Sequence, residues 1–360
     1  MTYIGAEEIV SPLGQSIREN FQSVCENRSG ISLVPHAGFN QEAIHLSKIT
    51  DLSSSNKFET LLIDTLSKVA KRIDPARITS KKTLVIVSST KGGLDRNIKD
   101  PFAPSLTSLV KHFGLANEPL VVSNACISGV LAINAANNFI KAGLYDHVIV
   151  LGCDVISDFV LFGFQSLFAV SATPCTPFDL NRSGISLGEG CAAVVVSNTP
   201  EIFKNKPLGL YSGTSANDAN HISGPSRTGE GLYRSVKRTL ELNKMSFGEI
   251  DFISAHGTAT VFNDEMEAIA FDRLNMADIP INSLKGYFGH TLGAAGVIET
   301  AISMQMMRHN MLIKSLGYSE TGTSKSLNIT TGNKSSELNT ILKTASGFGG
   351  CNASLVFRKL

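Results

Sequence analysis

The sequence predicts a layered α/β fold. Strand-like and helix-like runs alternate along the chain. A polar, proline-bearing stretch at residues 197–207 divides them into two sets, each with several strands. The composition agrees: 360 residues, 42% hydrophobic and 18% charged, suit one large globular body or two smaller ones.

In chain order, strand-like runs occupy residues 83–88, 120–122, 147–151, 191–197, 208–212, 251–254, 338–344 and 353–358. Helix-like runs lie between them. Residues 57–73 place Phe58, Leu61, Leu62, Thr65, Leu66, Val69 and Ala70 at helical spacing. Residues 231–243 and 296–309 form two more such runs, and Val130, Ile133 and Ala136 mark another. The predicted division is an N-terminal half, 1–200, and a C-terminal half, 201–360. Residues 156–172 carry Asp158, Gln165 and four phenylalanines (Phe159, Phe162, Phe164, Phe168), and read as buried core or a wall of an apolar pocket. The polar stretches at 51–56 and 321–326 read as ordinary loops.

Lys and Arg total 32 against 31 Asp and Glu, a net charge of +1, so no strong pull toward nucleic acid or an anionic membrane is expected. No stretch is apolar enough to span a bilayer, and the first residues lack the pattern of a secretion signal. The six cysteines, at 25, 126, 153, 175, 191 and 351, form no CxxC pair and no metal-like spacing with histidine. A cytoplasmic protein with reduced thiols is the simplest account. Asn-x-Ser/Thr triplets such as those at Asn27, Asn181 and Asn328 are then chance matches.

Cys126 follows the apolar run 120–122 and precedes the Val130 periodicity. It therefore falls at a strand-to-helix corner, where unpaired N–H groups and the helix dipole lower a thiol's pKa and can hold an oxyanion. A buried structural cysteine is the competing reading. His256, in Ser254-Ala-His256-Gly-Thr, ends a strand in an open polar loop, a usual place for catalytic groups in α/β proteins. Asp264 and Glu267 follow on a helix start, where first-turn charge alone would also explain them. His290 lies among glycines at 286, 289, 293 and 296 that fit neither a P-loop nor a dinucleotide fingerprint. Residues 346–352 form another glycine-rich loop that could bring backbone N–H groups to a ligand, or simply join two strands.

Taken in order, the motifs are Asn124-Ala-Cys126-x-Ser-Gly129, Pro177-Phe-Asp-x-x-Arg182-x-Gly, His256-Gly-Thr-x-Thr with Asp264 and Glu267, Lys285-x-x-x-x-His290-x-x-Gly-Ala-Ala-Gly296, and Gly347-Phe-Gly-Gly-x-Asn352. The opening Ile9-Val-Ser-Pro-Leu-Gly14 joins them. This set resembles the elongating, Cys-His-His type of β-ketoacyl-acyl-carrier-protein synthase of the thiolase superfamily, over essentially the whole chain. The resemblance implies a thiolase-like fold of two similar halves in five αβαβα layers. It implies that Cys126 takes an acyl group from a phosphopantetheine thioester, with the N–H groups of Cys126 and Phe348 as oxyanion hole. It further implies that His256 and His290 hold the carbonyl of a malonyl-carrier substrate during decarboxylative condensation. Lys285 and Glu267 resemble a supporting ion pair, and Asp264 a neighbouring acid. No cofactor or metal is implied. The implied partners are an acyl carrier protein, docked through Lys and Arg near the pocket mouth, and a second subunit, giving a homodimer or a heterodimer.

The chain departs from the family pattern in being short before Cys126, at residues 31–54 and after Gly93. In the family the loop after Gly93 helps build the acyl pocket and the subunit interface; Asn124 stands where Thr is more usual and Ile127 where a smaller or hydroxylated residue is, changes that suggest specialisation for an unusual acyl chain. Three rival readings follow from the same motifs. A non-catalytic chain-length-factor-like partner usually lacks the cysteine. A degradative thiolase would need a second catalytic cysteine near Cys351. A non-enzymatic binding protein would leave five ordered motifs to coincidence.

Overall fold

The computed structural model describes residues 1–50, 52, 56–218 and 224–360. Of the polar loop at 51–56, residues 51 and 53–55 lie outside the described residues. One sheet runs through both halves. In the first half its strands lie in the order Leu120–Val122, Thr83–Ser88, His147–Asp154, Gly190–Ser197, Thr2–Val10. In the second the order is Ile281–Asn282, Phe252–Ser254, Thr340–Gly347, Cys351–Arg358, Leu208–Leu210. Both halves follow one rule: three parallel strands, then two antiparallel ones. The two sets join where Leu208–Leu210 pairs with Thr2–Val10. The duplication is one of topology; no repeat is visible in the residues themselves.

Alternation along the strands sorts side chains into layers. Leu84, Ile86, Val148 and Val150 enter the central core, whereas Val85, Val87, Ile149 and Leu151 pack outward with Leu61, Leu66 and Val69 of helix Lys57–Ala70. In the second half Ile341, Leu355 and Phe357 face the centre, while Leu342 and Val356 pack with Leu232 and Val236 of helix Glu230–Leu242 and Phe271 of helix Val261–Arg273. Between the two halves of the sheet lie helices Ser128–Lys141 and Ala295–His309, each touching strands of both halves. The result is the five-layered αβαβα order that the resemblance implies. Helix Ala295–His309 is buried on nearly all sides, and its sequence is correspondingly apolar around most of its circumference.

The strand Thr2–Val10 has no counterpart among the runs read from sequence. Glu7 and Glu8 break its apolar pattern, yet both are buried. Arg308 Nε lies 2.8 Å from Glu7 and Arg72 Nε 2.8 Å from Glu8, so each acid is compensated inside the fold. Of the two readings of the run 156–172, the pocket wall holds and the buried core does not: Phe159, Val160, Phe164 and Phe168 line cavities. Val160 and Leu161 of helix Asp158–Ser166 are buried, but Phe159 is 66% and Phe168 92% exposed. Among the described residues no helix is long and apolar enough to cross a membrane.

The two central helices cross at a pair of glycines. A Cβ on Gly129 would stand 2.8 Å from Val297 N and 2.9 Å from Gly296 Cα; one on Gly296 would stand 2.6 Å from Val130 N. These are backbone atoms and cannot swing aside. Gly129→Ala or Gly296→Ala is therefore expected to cost about 1–3 kcal/mol, read as a lower urea midpoint. An unchanged midpoint for both would show that the crossing is loose.

Candidate active site

Three loops converge above this crossing. The first connects strand Leu120–Val122 to helix Ser128–Lys141 and carries Cys126. Ala125 adopts φ 44°, a strained conformation for a residue with a side chain. Ser128 holds the bend, its Oγ accepting from Asn124 N at 2.8 Å and donating to Ala125 O at 2.6 Å. The second loop leaves strand Phe252–Ser254 and carries His256; the third follows Ile281–Asn282 and carries His290. Cys126 and His290 thus follow strands in equivalent edge positions of the two halves.

Cys126 Sγ lies 3.0 Å from His290 Nε2. The His256 and His290 rings stand edge to face, 5.2 Å between centroids. All three side chains are buried. Lys285 Nζ donates to His256 Nδ1 (3.2 Å), to His256 O (2.6 Å) and to Glu299 Oε1 (2.7 Å), satisfying its three protons. The first of these bonds places the His256 proton on Nε2. His290 Nδ1 has no partner among the described residues, so its tautomer can follow whatever faces Nε2.

The ion pair differs from the one the sequence suggests. Glu299, not Glu267, is the carboxylate on Lys285, and Lys343 Nζ lies 2.6 Å from its second oxygen. Lys343 also donates to Thr344 O (2.7 Å) and to Ser254 O and Ala255 O. Glu267 instead accepts from the backbone of His256 (2.8 Å) and Gly257 (2.6 Å). Asp264 accepts from Thr258 N (2.8 Å), Ala259 N (3.1 Å) and Phe178 N (2.7 Å). Both acids staple the His256 loop in place, beyond any first-turn effect on their helix. Glu299 and Lys343 were missed in the sequence. The signal for Glu299 was a lone acid in an otherwise apolar helix.

Electrostatics favour neutral groups. Burial, then the Lys285 charge, pushes both histidines well below the usual imidazole range. Burial pushes Glu267 up to about 7, with Asp264 adding to it. The Cys126 expectation is corrected. The helix proper begins at Ser128, and burial pushes the thiol up to about 12 although Lys285 opposes it. Cys126 is held as a thiol, and a proton acceptor at His290 Nε2 replaces a pre-formed thiolate.

Phe348 and Gly347 come from the turn joining strands Thr340–Gly347 and Cys351–Arg358. A Cβ on Gly347 would lie 3.2 Å from Cys126 N, so a glycine keeps the space before that N–H open. Cys351, buried beneath the turn, donates to Phe348 O at 3.3 Å. Two cavities reach Cys126. One, of about 280 Å³, is lined by both histidines and by Ser183, Thr258, Thr260, Asn263 and Asn352. The other, of about 320 Å³, is lined by Thr90, Lys91, Phe159, Val160 and Leu292. Phe164 and Phe348 stand between them, rings 5.4 Å apart. The Cys126, His256 and His290 ligand atoms lie within 4.8 Å of one another, close enough to hold a thiophilic ion such as Zn²⁺.

Residues 102–202 match the family described as beta-ketoacyl synthase, N-terminal domain, and residues 209–319 match beta-ketoacyl synthase, C-terminal domain. Together these cover more than half of the chain. The chain belongs to the β-ketoacyl synthase family. It is an acyltransferase of the thiolase superfamily and has that superfamily's fold. A putative mitochondrial 3-oxoacyl-[acyl-carrier-protein] synthase of Schizosaccharomyces pombe is 27% identical over 423 aligned positions, covering 100% of this chain and 98% of that protein. 3-oxoacyl-[acyl-carrier-protein] synthase 2 of Rhizobium meliloti is 32% identical, covering 66% of this chain and 60% of that protein. A ketosynthase from Xenorhabdus doucetiae, solved with its chain length factor, superposes with TM-score 0.88 at 25% identity, covering 100% of this chain and 98% of that one.

Two outcomes test the site. Alkylation of Cys126 by iodoacetamide, followed by peptide mass, should keep rising from neutral pH to about pH 10, because a thiol near 12 is still mostly protonated there. A plateau near neutral pH would mean a pre-formed thiolate. Glu299→Gln leaves two buried ammonium groups without their carboxylate and should cost about 3–5 kcal/mol in urea unfolding. A loss below about 1 kcal/mol would mean the two lysines find compensation elsewhere.

Proposed function

We propose that this enzyme is a 3-oxoacyl-[acyl-carrier-protein] synthase, joining an acyl group on Cys126 to malonyl-carrier protein with loss of carbon dioxide. The observation that carries this is the 3.0 Å approach of Cys126 Sγ to His290 Nε2, beside a second histidine whose Nε2 proton is fixed by Lys285. In the first step the sulfur attacks the thioester carbon while its proton passes to His290 Nε2. The tetrahedral oxyanion lies toward the Cys126 and Phe348 N–H groups. Collapse expels the pantetheine thiolate, which takes that proton from His290. In the second step the malonyl C–CO₂ bond breaks and its electron pair forms an enolate. Its oxygen is held by the Nε2 protons of His256 and of His290, whose ring, free at Nδ1, has by then exchanged its Nδ1 proton for one on Nε2. The enolate carbon attacks the acyl-cysteine carbonyl, and the Cys126 sulfur leaves as a thiolate and takes the Nε2 proton of His290, whose ring regains a proton from solvent. Decarboxylation supplies the nucleophile, so neither a strong base nor a resident metal or redox cofactor is called for.

The cavity holding both histidines mixes hydroxyl and amide groups with apolar side chains such as Phe168, Val261, Phe262 and Met266, a lining that suits the amide and hydrocarbon parts of a phosphopantetheine arm and supports an acyl carrier protein as the partner. A second subunit, identical or related, is also proposed. Strand Leu120–Val122 ends the sheet without a neighbour on its outer side among the described residues, and Leu120 is 41% exposed, as at an edge that another copy extends. The Xenorhabdus ketosynthase is solved with its chain length factor, which supports pairing of this kind. Cytoplasmic residence is proposed from the reduced, unpaired cysteines.

The test is intact mass after incubation with acyl-carrier thioesters, then with malonyl-carrier protein. Cys126→Ala should form no acyl adduct, and an undiminished adduct would remove Cys126 as the nucleophile. His290→Ala should lower condensation by at least roughly a hundredfold while loading falls less. Undiminished loading would remove His290 as the acceptor of the thiol proton, and undiminished condensation would remove it from the enolate.

A further inference from the structure

The cavity beyond the Phe164–Phe348 pair holds a charge that the condensing reading does not use. Its walls are largely apolar, formed by Phe159, Val160, Phe164 and Leu292, yet Lys91 lines it together with Cys126. Lys91 is half-buried and forms no ion pair among the described residues. Its ammonium lies 3.5 Å from Thr90 Oγ1, at the outer limit of a hydrogen bond. The nearby buried acid, Asp154, already accepts from Ser89 Oγ (2.7 Å), Thr90 N (3.0 Å) and Gly293 N (2.7 Å). Those bonds fix the loop that carries Lys91, so its base is held at the cavity wall. The charge also acts on Cys126, opposing the rise that burial imposes on the thiol.

A cation with largely apolar walls, whose nearest acid has its oxygens engaged by the loop's own N–H and O–H groups, attracts an anion more strongly than it would in open water. It also penalises a plain hydrocarbon chain, which would strip water from the ammonium and return nothing. On the condensing reading above, the phosphopantetheine arm takes the histidine-lined cavity, which leaves this one for the acyl group on Cys126. We propose that the preferred donor is an acyl group bearing a carboxylate at its far end, and that Lys91 is the residue that selects it. The expected discrimination is that of one charge-assisted hydrogen bond, roughly ten- to hundredfold in loading rate.

The experiment measures the rate of Cys126 adduct formation by intact mass. The donors are carrier-bound hexanoyl, hexanedioyl and hexanedioyl methyl ester, with butanedioyl and octanedioyl to scan reach. At least one free acid should load roughly tenfold or more faster than hexanoyl and than the ester. Lys91→Met should bring the acid-to-hexanoyl ratio to about one, and Lys91→Arg should keep part of it. The ratio cancels any change that losing the charge makes in the thiol's own reactivity. An equal rate for acid and ester, a wild-type preference for hexanoyl over every acid, or an undiminished ratio in Lys91→Met would each overturn the assignment of Lys91. Absence of any adduct with every donor would instead bring down the condensing reading on which this proposal rests.

Discussion

The contact between Gly129 and Gly296 is the constraint on which the rest of the molecule depends. Two central helices, one from each half, approach until the backbone of one lies against the backbone of the other. The loop leading into one carries Cys126, and the loop leading into the other carries His290. Bringing those helices together is what brings sulfur and imidazole to 3.0 Å. Any residue larger than glycine at the crossing would push against peptide atoms and carry the displacement directly into the reacting pair. Packing and chemistry are therefore set by one distance.

A second constraint is the buried charge cluster of Lys285, Glu299 and Lys343. Two cations face one carboxylate, so the neighbourhood of the histidines stays positive. That field, added to burial, keeps both imidazoles neutral, and the bond from Lys285 fixes the tautomer of His256. A neutral ring with its proton on Nε2 is the form that can hold an enolate oxygen without giving the proton up. The cluster thus acts on the reaction through His256, without itself reaching the sulfur.

The sequence was most legible where local pattern and tertiary role coincide. The Val- and Ile-rich strands and the helices at 57–70 and 295–309 follow directly from apolar spacing. Cys126, His256 and His290 were identifiable because each ends an element in a small-residue loop, and their convergence came from ordered motifs. What escaped were features decided by distant partners. Thr2–Val10 looks too acidic for a strand near the middle of the sheet until Arg72 and Arg308 are seen beside it. Glu267 looks like the partner of Lys285 in sequence, but its oxygens are taken by backbone N–H groups, and Glu299, from a different helix, reaches the lysine. The state of the Cys126 thiol also could not be read locally, since burial by both halves outweighs the helix terminus.

The shared strand order of the two halves has a further consequence. Equivalent edge positions deliver a sulfur in one half and an imidazole in the other, so the repeated architecture has been put to unequal use. A fragment ending near residue 200 would own a nucleophile with no proton acceptor, and its complement would own an acceptor and a hydrogen-bond donor with nothing to act upon. Reactivity is a property of their encounter. Such a chain is a natural coincidence detector: divided at the polar stretch between its halves, it would report by the reactivity of a single sulfur whether the two pieces had found each other.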